Sequence, residues 1–265
     1  MFKGVLKKMI SEVNEPVRYF LDLENDFIEM NQCIDHQISF KYAGQVCLNC
    51  KKERLIFTMG HCKKCFYESP KMGEWLINPQ YSKAHKGIED RNLEYEKEIQ
   101  IQPHIVYLSL TSQLKIGVTR KNGLYTRWID QGAHEAIELL ELPNRYLAGV
   151  AEVRFKKIFS DKTYPNKMLQ NDFDAVDWNI ERERALNYLP SDFEKFIIKD
   201  FKVNSFNFPV LKIPKKVKRL NLEKENFYKG VLKGIKGQYL IFEDNSVFGI
   251  RRHEGTRVEI KIDQD

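Results

Sequence analysis

The chain has 265 residues, of which 42% are hydrophobic and 30% are charged, and its formal net charge is +6. This composition is ordinary for a globular protein and is rich enough in apolar residues to bury a core. No stretch approaches the roughly 18 consecutive apolar residues that a membrane-spanning helix requires. The segment after Met1 also lacks the apolar centre of a signal peptide. We therefore expect a cytoplasmic protein that is neither secreted nor inserted in a membrane.

The positive charge is concentrated in one stretch of the sequence. Between Lys212 and Lys236 there are nine lysine or arginine residues and two glutamates, so the rest of the chain is nearly neutral. Such a stretch is typical of a surface that binds a polyanion, most often nucleic acid. The residues expected to contact phosphate groups are Lys212, Lys215, Lys216, Lys218 and Arg219. The alternative is a solvated linker that only keeps the protein soluble.

The order of predicted elements indicates an α+β protein with strands at both ends of the chain. In chain order, the predicted segments are a β segment at 1–45, a four-cysteine module at 46–70, a connector at 71–102, an α/β domain at 103–203, a basic linker at 204–226 and a second β segment at 227–265. The alternation of polar and apolar residues in the two end segments is typical of half-buried strands. We expect these two segments to pack together as a small barrel.

Four of the five cysteines form two closely spaced pairs, Cys47 with Cys50 and Cys62 with Cys65. Two residues between the thiols of a pair allow both thiols to point at one metal ion, and two such pairs complete a tetrahedral shell of four thiolates. The spacing predicts a structural zinc site similar to a zinc ribbon. The alternatives are two disulfides, which are rare in a reducing compartment, or four free thiols. Cys33 is expected to be a small buried hydrophobic residue.

The middle of the chain is predicted to begin with a β-hairpin that is followed by two helices. The hairpin strands are placed at 104–110 and 114–119, and the helices at 124–141 and 147–159. Helical spacing would place four polar side chains of the first helix on one stripe: Arg127, Asp130, Gln131 and His134.

Four residues of this segment stand out by their order. Tyr107 ends Ile105-Val106-Tyr107 on the first strand, and Lys115 begins Lys115-Ile116-Gly117 on the second. Arg127 lies in the next helix, and Glu152 follows the small residues of a later helix. This pattern resembles the core of the GIY-YIG nucleases, in which a second tyrosine stands where this chain has Lys115. The resemblance implies a GIY-YIG-like α/β domain that cleaves phosphodiester bonds with a divalent cation.

The resemblance also implies a catalytic role for each of the four residues. Tyr107 would accept the proton of the attacking water, provided that nearby cations lower its pKa. Arg127 would hold the phosphate through a bidentate interaction, and Lys115 would act as a point charge on the same phosphate. Glu152 would bind one magnesium ion.

A second resemblance covers nearly the whole chain. Two segments carry it, the Thr-Arg-Trp-Ile-Asp-Gln-Gly-Ala sequence at 126–133 and the Gly-Ile-Lys-Gly-Gln-Tyr-Leu-Ile-Phe sequence at 234–242. Both are similar to a bacterial family of unknown function that joins an N-terminal four-cysteine module to a GIY-YIG-like middle domain. This resemblance implies an arrangement of domains but no activity.

Together these patterns predict a nucleic-acid-binding zinc protein whose core is a divalent-metal-dependent endonuclease acting on RNA or DNA. The first alternative is a non-catalytic RNA- or ribosome-binding module, which the lysine at position 115 favours. The second is a zinc-stabilised scaffold for protein interactions that has no role with nucleic acid. The sequence points to no particular protein partner.

Overall fold

The computed structural model of the protein describes residues 1–23 and 26–263. The chain is divided into two compact units. The first, which we call the β unit, comprises Met1–Tyr67, Leu169–Asn171 and Phe206–Asp265, and the second, the middle unit, comprises Glu68–Met168 and Asp172–Ser205. Within the described residues, every helix is too short or too polar to cross a lipid bilayer.

The described residues form sixteen strands and seven α-helices. The strands β1 to β16 are Phe2–Val5, Ile10–Glu12, Arg18–Asp22, Phe27–Glu29, Gln37–Gln45, Ile56–Thr58, His61–Cys62, His104–Leu110, Leu114–Arg120, Glu135–Leu142, Asn204–Ser205, Lys218–Arg219, Phe227–Lys236, Tyr239–Phe242, Ser246–Gly249 and Thr256–Asp263. The helices α1 to α7 are Lys63–Glu68, Leu93–Gln100, Leu124–Asp130, Arg145–Phe155, Pro165–Leu169, Trp178–Asn187 and Leu222–Glu225. Short 3₁₀ helices lie at Met30–Cys33, Pro70–Met72, Glu74–Leu76, Pro79–Tyr81, Ala84–Lys86, Lys121–Gly123, Ser191–Phe196 and Ile250–His253.

A seven-stranded sheet joins the two ends of the chain in the β unit. Its strand order is β1-β16-β5-β13-β14-β15-β12, so β5 from the N-terminal part pairs with β13 and β16 from the C-terminal part. Phe40 on β5 is buried and lies 4.9 Å from Phe248, measured between ring centroids. The two β ends therefore share one core.

The prediction of a small barrel is wrong. In the described residues the seven strands form an open sheet whose edges are β1 and β12. These edge strands contain four and two residues. A barrel requires its first and last strands to pair along their length with a definite stagger, and such short edge strands offer few groups for that pairing.

The segment predicted as a basic linker is built into the edge of this sheet. Its strand β12 pairs in parallel with β15. The backbone N–H of Lys215 donates to Oδ1 of Asn245 and that of Lys218 donates to the Asn245 carbonyl, both at 3.0 Å. The basic side chains of this segment therefore project from a backbone that is held in place.

A four-stranded sheet of order β11-β10-β8-β9 organises the middle unit. Strand β8 pairs with a neighbour on each side, and all seven of its residues are buried. One apolar cluster includes residues of three strands and of helix α4: Val106, Leu108, Ile116, Ile137, Ala148, Ala151 and Phe155. The ring of Tyr107, next in sequence to two of them, lies edge-on to Trp128 of α3 at 5.7 Å between centroids.

The helix predicted at 124–141 is wrong in its second half. Helix α3 ends at Asp130, and Gly132 follows with φ of 67°, a backbone conformation that favours glycine. The next residues form strand β10, in which Glu135, Glu138 and Glu141 are the less buried positions. A register shift between Glu138 and Leu140 interrupts the alternation of a regular strand. Polar residues then recur every third position, which imitates a helix.

This correction changes the predicted polar stripe. Arg127 and Asp130 remain on helix α3, but Gln131 is its C-terminal cap and His134 lies beyond Gly132. The predicted helix at 147–159 is observed as α4, which begins at Arg145 and ends at Phe155.

Gly117 supports the position of Tyr107. It pairs directly with Tyr107 across β8 and β9, and a Cβ atom placed on Gly117 would lie 2.5 Å from the Tyr107 hydroxyl. We expect Gly117→Ala to lower the free energy of unfolding by about 1–3 kcal/mol, the usual cost of overpacking. Urea denaturation measures this change. The control is Gly123→Ala, where the nearest heavy atom would be 3.9 Å away. Equal stabilities of the two variants would show that the close contact between Gly117 and Tyr107 does not limit stability.

Candidate functional site

The four paired cysteines come together at one point of the β unit. Their ligand atoms all lie within 4.8 Å of one another. Sulfur atoms around a tetrahedral zinc ion at about 2.3 Å are separated by about 3.8 Å, so small shifts would complete such a shell. All five cysteines of the chain are free thiols. The four cysteines can therefore hold a metal ion such as zinc.

Local backbone structure positions these thiols. Cys47 and Cys50 lie in a tight turn in which the N–H of Lys51 donates to the Cys47 carbonyl at 2.9 Å. Cys62 ends the β6–β7 hairpin and Cys65 lies in the first turn of α1. The N–H of Cys62 donates to Sγ of Cys47 at 3.3 Å, an interaction that orients one pair toward the other.

The thiols influence one another's ionisation. Burial acts to raise the pKa of Cys47, but N–H groups of Cys50, Cys62 and Asn49 stabilise its thiolate and bring the pKa to about 6. At Cys65 a hydrogen bond to Asn49 acts to lower the pKa, while burial and the neighbouring cysteines raise it to about 11. A bound metal ion would stabilise all four thiolates together, because its positive charge offsets their negative charges.

A second group of polar side chains lies in the middle unit, around Tyr107. The side chain of Gln131 bridges two of the residues predicted from the sequence. Its amide oxygen accepts from Nε and Nη2 of Arg127, both at 3.0 Å, and its nitrogen donates to the Tyr107 hydroxyl at 3.1 Å. Tyr107 is completely buried. Its hydroxyl accepts a hydrogen bond from Gln131 and keeps its own proton for another acceptor.

Lys115 lies on the same face of the sheet as Tyr107. It pairs across the strands with Ser109, two residues after Tyr107, and is 5% exposed. Its Nζ donates to Oγ1 of Thr163 at 3.4 Å. The Ser109 hydroxyl is buried and has no hydrogen-bond partner among the described residues. Burial lowers the pKa of Lys115 to about 8, and the charge of Arg127 acts in the same direction.

Glu152 projects from helix α4 and is 8% exposed. Its Oε2 lies 3.6 Å from Nζ of Lys156, one helical turn later, and the same Nζ lies 3.1 Å from Oδ2 of Asp161. Within the described part of the chain, Oε2 accepts no hydrogen bond. Burial raises the pKa of Glu152, against the opposing effect of Lys156. One ammonium group thus lies between two carboxylates.

The charges of these residues act on one another. Arg127 and Glu152 both affect the pKa of Tyr107 and that of Lys115. The four residues that the sequence singled out in the middle unit are thus close enough for their charges to interact. The five basic residues from Lys212 to Arg219 belong to the β unit and are all exposed.

The condition under which Tyr107 would accept a proton, a lowered pKa, is not met. Burial raises the pKa of Tyr107, and this effect is larger than the opposite effect of Arg127. A fully buried phenol loses the solvation of its charged form, which a single half-buried cation does not restore. Tyr107 is therefore a neutral hydrogen-bond donor at physiological pH.

Three residues of this group have no assigned role in the sequence prediction. The proximity of Lys156 could have been predicted from the sequence, since it follows Glu152 by four residues at the end of a helix. That of Asp161 and Thr163 could not, because they lie in a loop whose position depends on tertiary contacts. In that loop the carbonyl of Ser160 accepts from the N–H of Ile116, and the N–H of Tyr164 donates to the Ser112 hydroxyl, both at 2.8 Å.

These observations define an α+β protein with a four-cysteine site for a metal ion and a buried group of charged side chains in its middle unit. The family model described as a protein of unknown function, DUF2797, matches residues 35–258. The chain belongs to this family, and the prediction of a family of unknown function is confirmed. Comparison with curated proteins and with solved structures found no match.

Proposed function

We propose that this protein binds nucleic acid and that its middle unit hydrolyses phosphodiester bonds with the help of one divalent cation. The proposal is supported by the proximity of Lys115, Arg127 and Glu152, because the charges of Arg127 and Glu152 act both on Lys115 and on Tyr107. Two of these charges are almost fully buried. Burying a charge is costly unless a partner compensates it, so the Glu152 carboxylate is suited to hold a cation, and burial favours the neutral amine of Lys115 by lowering its pKa to about 8. The order of the four residues along the chain, which resembles that of the GIY-YIG nucleases, favours the same chemistry.

The metal at the four cysteines is, in this proposal, a structural zinc ion. Four thiolates close the tetrahedral shell and leave no position open for a substrate. The ion then contributes to folding and takes no part in the reaction. Thiolate ligands of this kind persist in the reducing cytoplasm, where we place the protein.

The protein's own residues supply most of the proposed chemistry. Arg127 binds the phosphate with its planar guanidinium, and the buried Tyr107 hydroxyl positions Arg127 through Gln131. The neutral amine of Lys115 accepts a proton from the attacking water. The water oxygen forms a bond to phosphorus, the bond to the leaving oxygen breaks, and the leaving oxygen takes a proton from solvent. Lys115 thus performs the role that the sequence suggested for Tyr107.

Glu152 is the proposed ligand of the divalent cation. Its Oε2 is buried and accepts no hydrogen bond in the described structure, and Mg²⁺ needs only one or two carboxylates while it keeps several waters. A bound Mg²⁺ supplies positive charge that stabilises the transition state of phosphoryl transfer. Lys156 and Asp161 lie next to the Glu152 carboxylate and contribute to the net charge around it.

The exposed basic residues of the β unit supply the proposed contacts with the phosphate backbone. Two of the nine basic residues between Lys212 and Lys236 pair with carboxylates, and a third is buried. Lys229 pairs with Asp263 at 2.8 Å, Lys233 pairs with Asp35 at 2.7 Å, and Lys236 is buried. The five basic residues from Lys212 to Arg219 are exposed at the edge of the sheet, and the ammonium of Lys212 also donates to the Glu243 carbonyl at 2.6 Å. Such contacts do not depend on base sequence.

We expect the protein to cleave labelled RNA or DNA when MgCl₂ is present, and Glu152→Gln to reduce the rate on the order of a hundredfold because the cation loses its charged ligand. Gel analysis of single-stranded and duplex substrates measures the rate. The matched control is Glu141→Gln, which changes a half-buried carboxylate of the same unit that is paired with Lys121 at 2.8 Å. Absence of cleavage of every substrate would overturn the nuclease proposal.

A second candidate function is a non-catalytic RNA- or ribosome-binding module. The position of Lys156 favours it, because its ammonium already lies between the two carboxylates that face the proposed cation. A tethered ammonium would then replace the metal and hold the fold without chemistry. Salt-dependent binding of nucleic acid in the absence of any cleavage is the result expected for this candidate.

A further inference from the structure

Three aromatic rings form a cluster on the surface of the four-cysteine module. The ring centroids of Phe57 and Phe66 are 5.3 Å apart, those of Phe66 and Tyr67 are 5.3 Å apart, and those of Phe57 and Tyr67 are 6.0 Å apart. Phe57 is 52% exposed and Tyr67 is 56% exposed. Aromatic side chains usually provide core packing, so two half-exposed rings in contact require an explanation.

The local structure holds these rings outward. In strand β6, Ile56 packs against the cysteines, and Phe57, the next residue, faces the opposite side. In helix α1, Cys65 is buried while Tyr67 is exposed. The metal site thus fixes one side of both elements and leaves the other side to display the rings. A short module of this kind is a rigid support for them.

Basic residues predominate in the segment that carries the cluster. Residues 47–67 contain five basic residues and one acidic residue, Glu53, and Glu53 is paired with Arg257 at 2.5 Å. Lys63 and Lys64 precede Phe66 and Tyr67 by three residues on helix α1, a spacing that places side chains on the same face. Both lysines are exposed. Aromatic planes and cations are therefore displayed together.

We propose that Phe57, Phe66 and Tyr67 form a stacking platform for the bases of single-stranded nucleic acid, with Lys63 and Lys64 contacting its phosphates. Exposed aromatic side chains beside cations are the combination that binds single strands without sequence preference. Duplex bases are stacked on one another and do not offer their faces. The platform rests on the nucleic-acid-binding part of the proposed function, and it adds a preference for an unpaired segment.

The test compares alanine variants by fluorescence anisotropy with labelled oligouridylate and oligothymidylate. Phe57→Ala and Tyr67→Ala are each expected to weaken binding about tenfold, the usual loss when one stacking ring is removed. Their metal content, measured by mass spectrometry, should equal that of the wild type. The matched control is Phe227→Ala, which removes a ring that is 53% exposed elsewhere in the β unit, and its affinity should not change.

A second variant reports on stacking directly. The three native tryptophans are all buried, so Phe57→Trp would introduce the one exposed indole of the described residues. We expect this variant to retain the affinity of the wild type and its exposed emission to be quenched by oligothymidylate. Binding without quenching would overturn the stacking assignment.

The outcomes separate the platform from the proposed function on which it rests. If Lys215→Ala and Lys216→Ala reduce the salt dependence of binding while Phe57→Ala leaves the affinity unchanged, the platform is wrong and nucleic-acid binding stands. If duplexes bind and single strands do not, the platform is also wrong. If no nucleic acid binds, both proposals fail, and capture of another protein by this surface would be a different function.

Discussion

Replacement of Cys62 with serine is expected to remove the bound metal and unfold the four-cysteine module. The wild-type protein should contain one zinc ion per chain, and the variant much less. Zinc binding by small modules contributes about 10–16 kcal/mol of folding free energy at pH 7. The thiols pack with Ile56 in a small cluster, which cannot replace this contribution. We expect the thermal transition of the β unit to fall on the order of 10 °C or more, measured by circular dichroism.

Cys33 supplies the matched control for this experiment. It is also buried, but its Sγ donates to the backbone carbonyl of Glu29 at 3.7 Å and it belongs to no metal cluster of the described residues. Cys33→Ala should therefore keep a full complement of zinc and lose little stability. A chelator should reproduce the Cys62→Ser phenotype in the wild type. Full metal content in the Cys62→Ser variant would show that the four thiols are not the ligands.

The four-cysteine site could be predicted because its information is local. Two residues between thiols restrict each pair to a tight turn, and the partner pair is close in sequence. The result is a group of thiols within 4.8 Å of one another. Few other residues are needed to specify this geometry, so its prediction does not depend on knowledge of the fold.

The strand at 135–142 could not be predicted because tertiary pairing overrides its local pattern. Glutamate, alanine and leucine favour helices, and the three glutamates recur at helical spacing. The segment nevertheless pairs with β8 along its whole length. A sheet that buries both faces removes the alternation by which strands are recognised. The error moved His134 onto a helix that ends at Asp130.

The cluster of polar side chains in the middle unit could be predicted only in part. Tyr107, Lys115, Arg127 and Glu152 could be identified by their order in the chain, and in the structure they are close enough for their charges to interact. The depth of burial could not be inferred from the sequence, and it decides the directions of two pKa shifts. It raises the pKa of Tyr107 and lowers that of Lys115. Asp161 also belongs to this cluster of side chains, but it lies in a loop that is positioned by contacts with residues distant in the sequence.

We expect the cleavage rate to rise with pH up to about 8 and then to level off, because Lys115 is the proposed proton acceptor. Only the neutral amine accepts a proton, and burial lowers the pKa of Lys115 to about 8. Below that pH the neutral fraction grows about tenfold per unit, so the rate should grow in parallel. Lys115→Met should reduce the rate by about 10²–10⁴-fold, as expected for loss of a general base, and remove this pH dependence.

The pH profile distinguishes Lys115 from Tyr107 because burial moves their pKa values in opposite directions. A rate that depends on the Tyr107 phenolate would keep rising beyond pH 10, since the pKa of Tyr107 lies above its ordinary value. Tyr107→Phe removes the hydroxyl that positions Arg127 through Gln131, so it should lower the rate and leave the inflection near pH 8 in place. Lys121→Met is the matched control, since Lys121 is an exposed lysine of the same unit that pairs with Glu141. If the Lys115→Met variant retains the wild-type profile, another group accepts the proton, and burial of Lys115 then serves only the phosphate contact.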